Sequence, residues 1–335
     1  MVWSCHSSGF HATNQSVTTS YAGSRYLNLR IAVASSSLLA TPLIESIQES
    51  DDELGGLITV PDAPKGRGRS STESELAIWS GERGFLLEKY QSDDELRAFL
   101  TEHRIDLVIT LSFGKIIPTE LLAIPNYGWL NVHFSALPKY RGAAPVQRSI
   151  LAGEESIGIS VFQLDSGMDT GPVYTQAEFP LGRTATTESI LSDLSIAAVP
   201  LVREALQSIR HGESPSPQPE GVATYAAKLN LDEGRINWRS HGDQILLLLR
   251  ALQENVGTWS TFREGKINFY GATFVRENPE AEPGRIIISG AKNEPLTIAC
   301  GDGVIVIDEV KPAGKNRMSS SDFLRGARVE NESLI

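Results

Sequence analysis

An α/β domain built on a mostly parallel sheet, followed by a smaller all-β domain, is the architecture this sequence predicts. Three observations carry that reading. Apolar strand-like runs alternate with helix-like stretches from residue 29 to about residue 209, as in a parallel sheet covered by helices on both faces. A polar, Pro/Ser-rich stretch at 211–221 then breaks the pattern, which suits a linker between domains. Beyond it lie short β-type runs at close spacing, the sign of a small barrel or sandwich.

The elements follow in order. Residues 29–34 (LRIAVA) read as a buried strand, and an apolar helix runs on through Ile44 and Ile47. Residues 56–60 form the second strand. Thr72 with Glu75, and Ser92 with Glu95, have the spacing of capping boxes that open two helices. Residues 106–111 and 128–132 are the third and fourth strands. Two more strands, 157–164 and 173–179, follow with no helix between them, and a long helix covers 187 to about 209. In the last third, 259–262, 266–275, 284–289, 296–300 and 304–310 are short β runs, with Gly301-Asp302-Gly303 as a hairpin turn. The expected domains are therefore 27–211, a linker at 212–231, and 232–335.

Residues 1–26 differ from the rest. They contain no acidic residue, are rich in Ser and Thr, and have no signal-peptide core. They read as a disordered extension or a start set upstream of the true one, and a transit peptide is the other option.

The net charge is −11, and the excess acid lies in the first two thirds: from residue 232 onward, 13 Lys+Arg face 15 Asp+Glu. A wholly basic nucleic-acid coat is excluded, but a local basic patch is not. Two cysteines, Cys5 and Cys300, cannot make a disulfide scaffold or a four-ligand zinc site. No apolar run reaches the ~18–20 residues of a membrane span.

Chemistry concentrates in 131–145 (NVHFSALPKYRGAAP). The stretch begins as a strand, so Asn131 and His133 point to the same side at period two. A neutral amide donor beside a switchable imidazole can stabilise an oxyanion and move a proton. Residues 165–171 (DSGMDTG) form a tight turn between two strands. That turn could return Asp169 to His133, where a carboxylate orients the ring and favours the imidazolium. The loop at 61–69 (PDAPKGRGR) carries three cations and two glycines, which suits phosphate binding. Residues 112–118 leave the third strand and could offer backbone groups to a flat heterocycle. A dinucleotide fingerprint, a P-loop and a nucleophile elbow are all missing.

Taken together, Asn-x-His, Ser-x-Leu-Pro, Arg-Gly-Ala-Ala-Pro and Gly-Met-Asp-Thr-Gly in this order resemble the formyltransferases that use 10-formyltetrahydrofolate. The basic loop, the segments 224–229 (TYAAKL) and 234–238 (GRINW), and Pro312-Ala313-Gly314-Lys315 with Met318 are most similar to the branch acting on methionyl initiator tRNA. The likeness spans 29–328. It implies a Rossmann-like catalytic domain, an OB-type C-terminal barrel that binds tRNA, no metal and a cytoplasmic location. It also implies roles: Asn131 and protonated His133 stabilise the oxyanion, and Asp169 supports His133. Ser135, Ala136, Leu137 and Pro138 contact the folate, and Lys65, Arg67 and Arg69 meet the tRNA phosphates. Acceptor alternatives within the superfamily are an amino sugar or a ribonucleotide amine; a catalytically silent RNA-binding protein on the same scaffold is the non-enzymatic one. Two departures stand out. Ser35-Ser36-Ser37 occupies the place of the family's Gly-Thr-Pro turn, and 253–257 (QENVG) lacks its Pro-Trp-Pro segment.

Overall fold

The computed structural model describes residues 27–65, 70–277, 280–291, 293–329 and 332–334. The N-terminal stretch 1–26, together with Arg67 and Arg69, lies outside them.

The chain begins with β1 (Arg30–Ala34), α1 (Thr41–Gln48) and β2 (Glu53–Thr59). A short ribbon, β3 (Ala63–Lys65) and β4 (Ser70–Thr72), leads to α2 (Glu75–Arg83), β5 (Leu87–Lys89) and α3 (Asp93–Glu102). Then come β6 (Leu107–Thr110), α4 (Thr119–Leu122), β7 (Trp129–His133) and α5 (Pro145–Leu151). Two long strands, β8 (Ser156–Gln163) and β9 (Val173–Pro180), precede α6 (Thr187–Arg210). Seven strands form one sheet in the order β5-β2-β1-β6-β7-β8-β9. The first five are parallel, and β8 and β9 are added antiparallel. The parallel part has Rossmann-like order, reversing direction between β1 and β6, as the alternating pattern implied.

Local chemistry explains the elements. The side chains of Leu107, Val108 and Ile109 on β6 are fully buried, because helices cover both faces of a parallel sheet. Each such aliphatic burial stabilises by roughly 1.5–3 kcal/mol. Ser92 caps α3, accepting from the Glu95 amide at 3.3 Å, as its spacing predicted. The other predicted cap shifts by two residues. Thr72 is taken into β4, opposite Ala63, and Ser74 instead accepts from the Ala77 amide at 3.1 Å. The three serines after β1 also build a turn: Ser37 caps a 3-10 turn over Leu38–Ala40, and the Ser36 hydroxyl donates to the Ser112 carbonyl at 2.9 Å.

Residues 212–231 run irregularly, but they are hydrogen-bonded to what they pass. Ser216 pairs with Val173, and the Arg141 amide donates to the Thr224 carbonyl at 2.9 Å. Arg148 on α5 pairs with Glu233, which lies within a capping box begun by Asn230. Beyond them are α7 (Gly242–Leu252), β10 (Thr258–Phe262), β11 (Gly265–Val275) and β12 (Ile286–Ile287). The chain continues through β13 (Leu296–Cys300), β14 (Gly303–Pro312), β15 (Met318–Ser319) and α8 (Ser320–Ala327). These strands make a six-stranded antiparallel sheet curled as a half-barrel. Gly301 and Asp302 turn the hairpin between β13 and β14, as expected. Its core is separate from that of the parallel sheet and includes Trp238, whose indole donates to Ser260 at 2.8 Å, stacked edge-on against Phe269. Among the described residues, no helix is long and apolar enough to cross a membrane.

Candidate active site

A cleft of about 550 Å³ opens at the carboxyl ends of β6 and β7. That is where open α/β sheets bind ligands, close to the reversal of strand order. Thr110, Asn131 and His133 reach it from the two strands, Ser112 to Ile117 from the loop after β6, and Gly167 to Asp169 from the turn between β8 and β9.

The strand register sets the first interaction. Thr110 lies directly opposite Asn131. Its hydroxyl donates to Asn131 Oδ1 at 2.7 Å. This consumes the amide's acceptor and leaves its N–H donors for the cleft. His133 is buried, with Nε2 2.9 Å from the Tyr140 carbonyl. A carbonyl can only accept, so Nε2 carries a hydrogen, and Nδ1 is the nitrogen free to gain or lose a proton. Nδ1 lies 3.8 Å from Asp169 Oδ2, within ion-pair reach but too far for a hydrogen bond. The same Asp169 oxygen accepts from the Gly142 amide at 2.7 Å. The turn between β8 and β9 thus brings Asp169 to His133.

Backbone conformation is unusual around this cluster. Asp169, Tyr140 and Ser112 all have φ between +52° and +57°, a region that costs a non-glycine residue energy and recurs at functional sites. Tyr140 is held at its far end too. Its hydroxyl donates to Glu154 at 2.7 Å, and burial together with that bond pushes the phenol's pKa up to about 12. The anchor therefore stays protonated at neutral pH.

The Ser135–Pro138 motif lies behind the cleft, not along its wall. Ser135 and Leu137 are buried. The Ser135 hydroxyl donates to the Lys139 carbonyl at 2.7 Å, and the Ser160 hydroxyl donates to the Ser135 carbonyl at 2.7 Å. Gln176 donates to the Leu137 carbonyl at 3.0 Å. Ala136 and Pro138 are half-buried. The 112–117 strip, by contrast, does line the cleft.

The described start of the basic loop, 61–65, leads into the ribbon of β3 and β4 and does not line the cleft. Lys65 ends β3, while Arg67 and Arg69 lie beyond the described residues. Lys89 on β5 pairs with Asp62 and with Glu73, each at 2.7 Å. Those carboxylates immediately precede β3 and follow β4, so one ammonium group holds both feet of the ribbon. Sequence reasoning missed Thr110, Tyr140 and Lys89. Only Thr110 had a usable signal, since it ends the strand beside the one bearing Asn131.

The chain belongs to the formyl transferase family: it matches the formyl transferase domain over residues 29–206 and the formyl transferase C-terminal domain over residues 228–328. Over 304 residues it is 34% identical to methionyl-tRNA formyltransferase of Salinispora arenicola (strain CNS-205), covering 90% of this chain and 98% of that protein. Methionyl-tRNA formyltransferase of Dictyoglomus turgidum is 36% identical over 279 residues, which cover 82% of this chain and 88% of the relative. Among solved structures, HypX from Aquifex aeolicus in complex with tetrahydrofolic acid superposes with a TM-score of 0.67 at 20% identity. That match covers 89% of this chain and spans only 47% of HypX, so it speaks to the fold alone.

Proposed function

We propose that this enzyme moves the formyl group of 10-formyltetrahydrofolate to the α-amino group of methionyl initiator tRNA, by direct attack of the neutral amine. The observation that carries the reading is the convergence of Asn131, His133 and Asp169 on one cleft in a chain whose full-length relatives are methionyl-tRNA formyltransferases. The cleft suits a folate. Phe113, Ile117 and Leu164 give it an apolar wall, beside backbone groups of the loop after β6. The donor supplies the formyl carbon on its N10 nitrogen. In our reading the 112–117 strip touches it, while Ser135, Ala136, Leu137 and Pro138 serve it from behind by fixing the floor under His133.

The chain's own groups then have defined tasks. Asn131 directs its N–H donors at the formyl oxygen, where negative charge develops on attack. His133 Nδ1 adds a second donor when protonated. Asp169 stabilises that imidazolium and is placed to take the proton the amine must lose; the tetrahedral adduct then collapses by breaking its bond to N10, which receives that proton as tetrahydrofolate leaves. Lys65, Arg67 and Arg69 meet the phosphates of the acceptor end. A division at 27–211, 212–231 and 232–335 is supported by the two hydrophobic cores, with α7 straddling them through Ala251 and Leu252 on the first and Ile245 and Leu249 on the second, the second domain adding to tRNA binding. We place the protein in the cytoplasm, where charged initiator tRNA is used, and assign it no metal.

The test is formyl transfer from 10-formyltetrahydrofolate to methionyl initiator tRNA and to free methionine in parallel. Formylation of the charged tRNA alone is expected. Transfer to an amino sugar or ribonucleotide amine, with the tRNA untouched, overturns the acceptor.

A further inference from the structure

We propose that Gln218 is a positioning residue for Asp169, holding the carboxylate against His133 by gripping the turn that carries it. The inference rests on the functional reading above and adds a residue to it. Gln218 lies in the Pro/Ser-rich stretch that reads as a linker, among exposed neighbours, yet it is itself half-buried. Its side-chain amide is fully engaged. Nε2 donates to the Asp169 carbonyl at 2.7 Å and to the Gly171 carbonyl at 2.9 Å, and Oε1 accepts from the Arg141 guanidinium at 2.5 Å.

The geometry explains why such a grip is needed. Asp169 sits at φ +52°, a conformation the chain does not favour unaided. The near end of its turn is closed by Asp165, which accepts from the Gly167 amide at 3.0 Å and the Thr170 hydroxyl at 2.7 Å. The Asp169 and Gly171 carbonyls have only Gln218 as a side-chain donor among the described residues. Arg141 in turn is set by backbone pairing on both sides, its amide donating to the Thr224 carbonyl at 2.9 Å and its carbonyl accepting from the Ala226 amide at 2.7 Å. Gln218 therefore spans two loops, one bearing Asp169 and one running from Tyr140 to Gly142. These loops carry the two polar groups placed against the ring nitrogens of His133. Asp169 Oδ2 also binds the Gly142 amide across the same gap. With Gln218 in place, the Asp169 and Gly171 carbonyls are both held; without it, among the described residues, Asp169 keeps only the bond its carboxylate accepts from Gly142, and the turn's far end only the Gln163–Pro172 backbone bond.

The test compares Gln218→Ala with Gln218→Glu. The second keeps the shape and the acceptor for Arg141 but removes both N–H donors. In each, kcat for methionyl initiator tRNA should fall about 10- to 100-fold, as when a residue orienting a catalytic group is lost. KM values for both substrates should stay within about twofold, since binding contacts are untouched. In an Asp169→Ala background, Gln218→Ala should cost less than about twofold further, because the group it positions has gone. Exchange of the Gly142 amide hydrogen, read by NMR in the folded proteins, should quicken in Gln218→Glu with the melting temperature unchanged. Wild-type kcat in Gln218→Glu, or a full further loss in the Asp169→Ala background, overturns the assignment. Should the wild-type enzyme fail to formylate the tRNA while Gln218→Glu still frees the Gly142 amide, the clasp stands and the functional reading falls.

Discussion

His133 Nδ1 and Asp169 Oδ2 stand 3.8 Å apart, and that same oxygen accepts from the Gly142 amide at 2.7 Å. A carboxylate at this distance stabilises an imidazolium without capturing its proton, so Nδ1 remains open to substrate. Replacing Asn131, His133 or Asp169 by Ala should each lower kcat by about 10²–10³-fold, the usual loss for an oxyanion donor or its support. Single-turnover formylation of methionyl-tRNA measures it. Full turnover in all three variants would remove the cluster from the mechanism.

Thr110 orients Asn131 from the neighbouring strand. Thr110→Val keeps the shape but leaves Asn131 Oδ1 without its donor at 2.7 Å, so the amide can turn its oxygen towards the cleft. A drop in kcat of about 10-fold is expected, with KM for the folate nearly unchanged. Steady-state kinetics with varied folate separates the two.

The ribbon of β3 and β4 should report on tRNA, not chemistry. Replacing Arg67 and Arg69 together by Ala should raise KM for the charged tRNA and flatten its salt dependence by about one unit of slope per lost phosphate contact. Lys89→Ala should raise the same KM by releasing the ribbon's feet from Asp62 and Glu73. Titrating tRNA binding against salt checks both, and kcat at saturating tRNA should hold in each.

Gly158 on β8 backs directly onto the Ser135–Pro138 floor. A Cβ there would overlap the backbone nitrogen of Ala136. Gly158→Ala should therefore destabilise the protein by about 1–3 kcal/mol, as overpacking does, and slow catalysis by shifting the segment that follows His133. Denaturant unfolding and kinetics on the same sample test this.

The Arg148–Glu233 pair sets a pH-dependent brace between α5 and the half-barrel's approach. Arg148 holds the Glu233 carboxyl below its usual 4.5. A depressed acid contributes stability above its unfolded value and loses it as pH falls through the folded one. Glu233→Gln should thus melt lower than wild type at pH 7, by about 1 kcal/mol for a half-buried pair. The difference should shrink as pH drops below about 4.5. Melting curves from pH 7 to 3 follow it.

The sheet was readable because its strands are the apolar runs themselves: 107–110 is buried throughout, and nothing else could cover it. Asn131, His133 and Asp169 were readable because strand periodicity and a Gly-flanked turn limit where a side chain can point. The short ribbon was missed because Pro64 and three-residue strands leave too little period to detect, and this also displaced the expected cap from Thr72 to Ser74. Thr224 and Tyr140 escaped for another reason. Their hydrogen bond at 2.8 Å spans 84 positions and joins a hydroxyl to a backbone amide, which no local pattern records. The Ser135–Pro138 motif shows the reverse problem: the residues are evident in sequence, but burial of Ser135 and Leu137 is not.

The parallel bridge between Arg141 and Tyr225 also fixes when the cleft can exist. During synthesis the sheet can form once β9 and α6 have emerged, with Asn131, His133 and Asp169 already aboard. The loop that carries the Tyr140 carbonyl must still wait for residues 224–226. The sheet can therefore be built before this loop is closed, and contacts of such long sequence separation slow folding. Maturation of activity should lag behind maturation of the sheet.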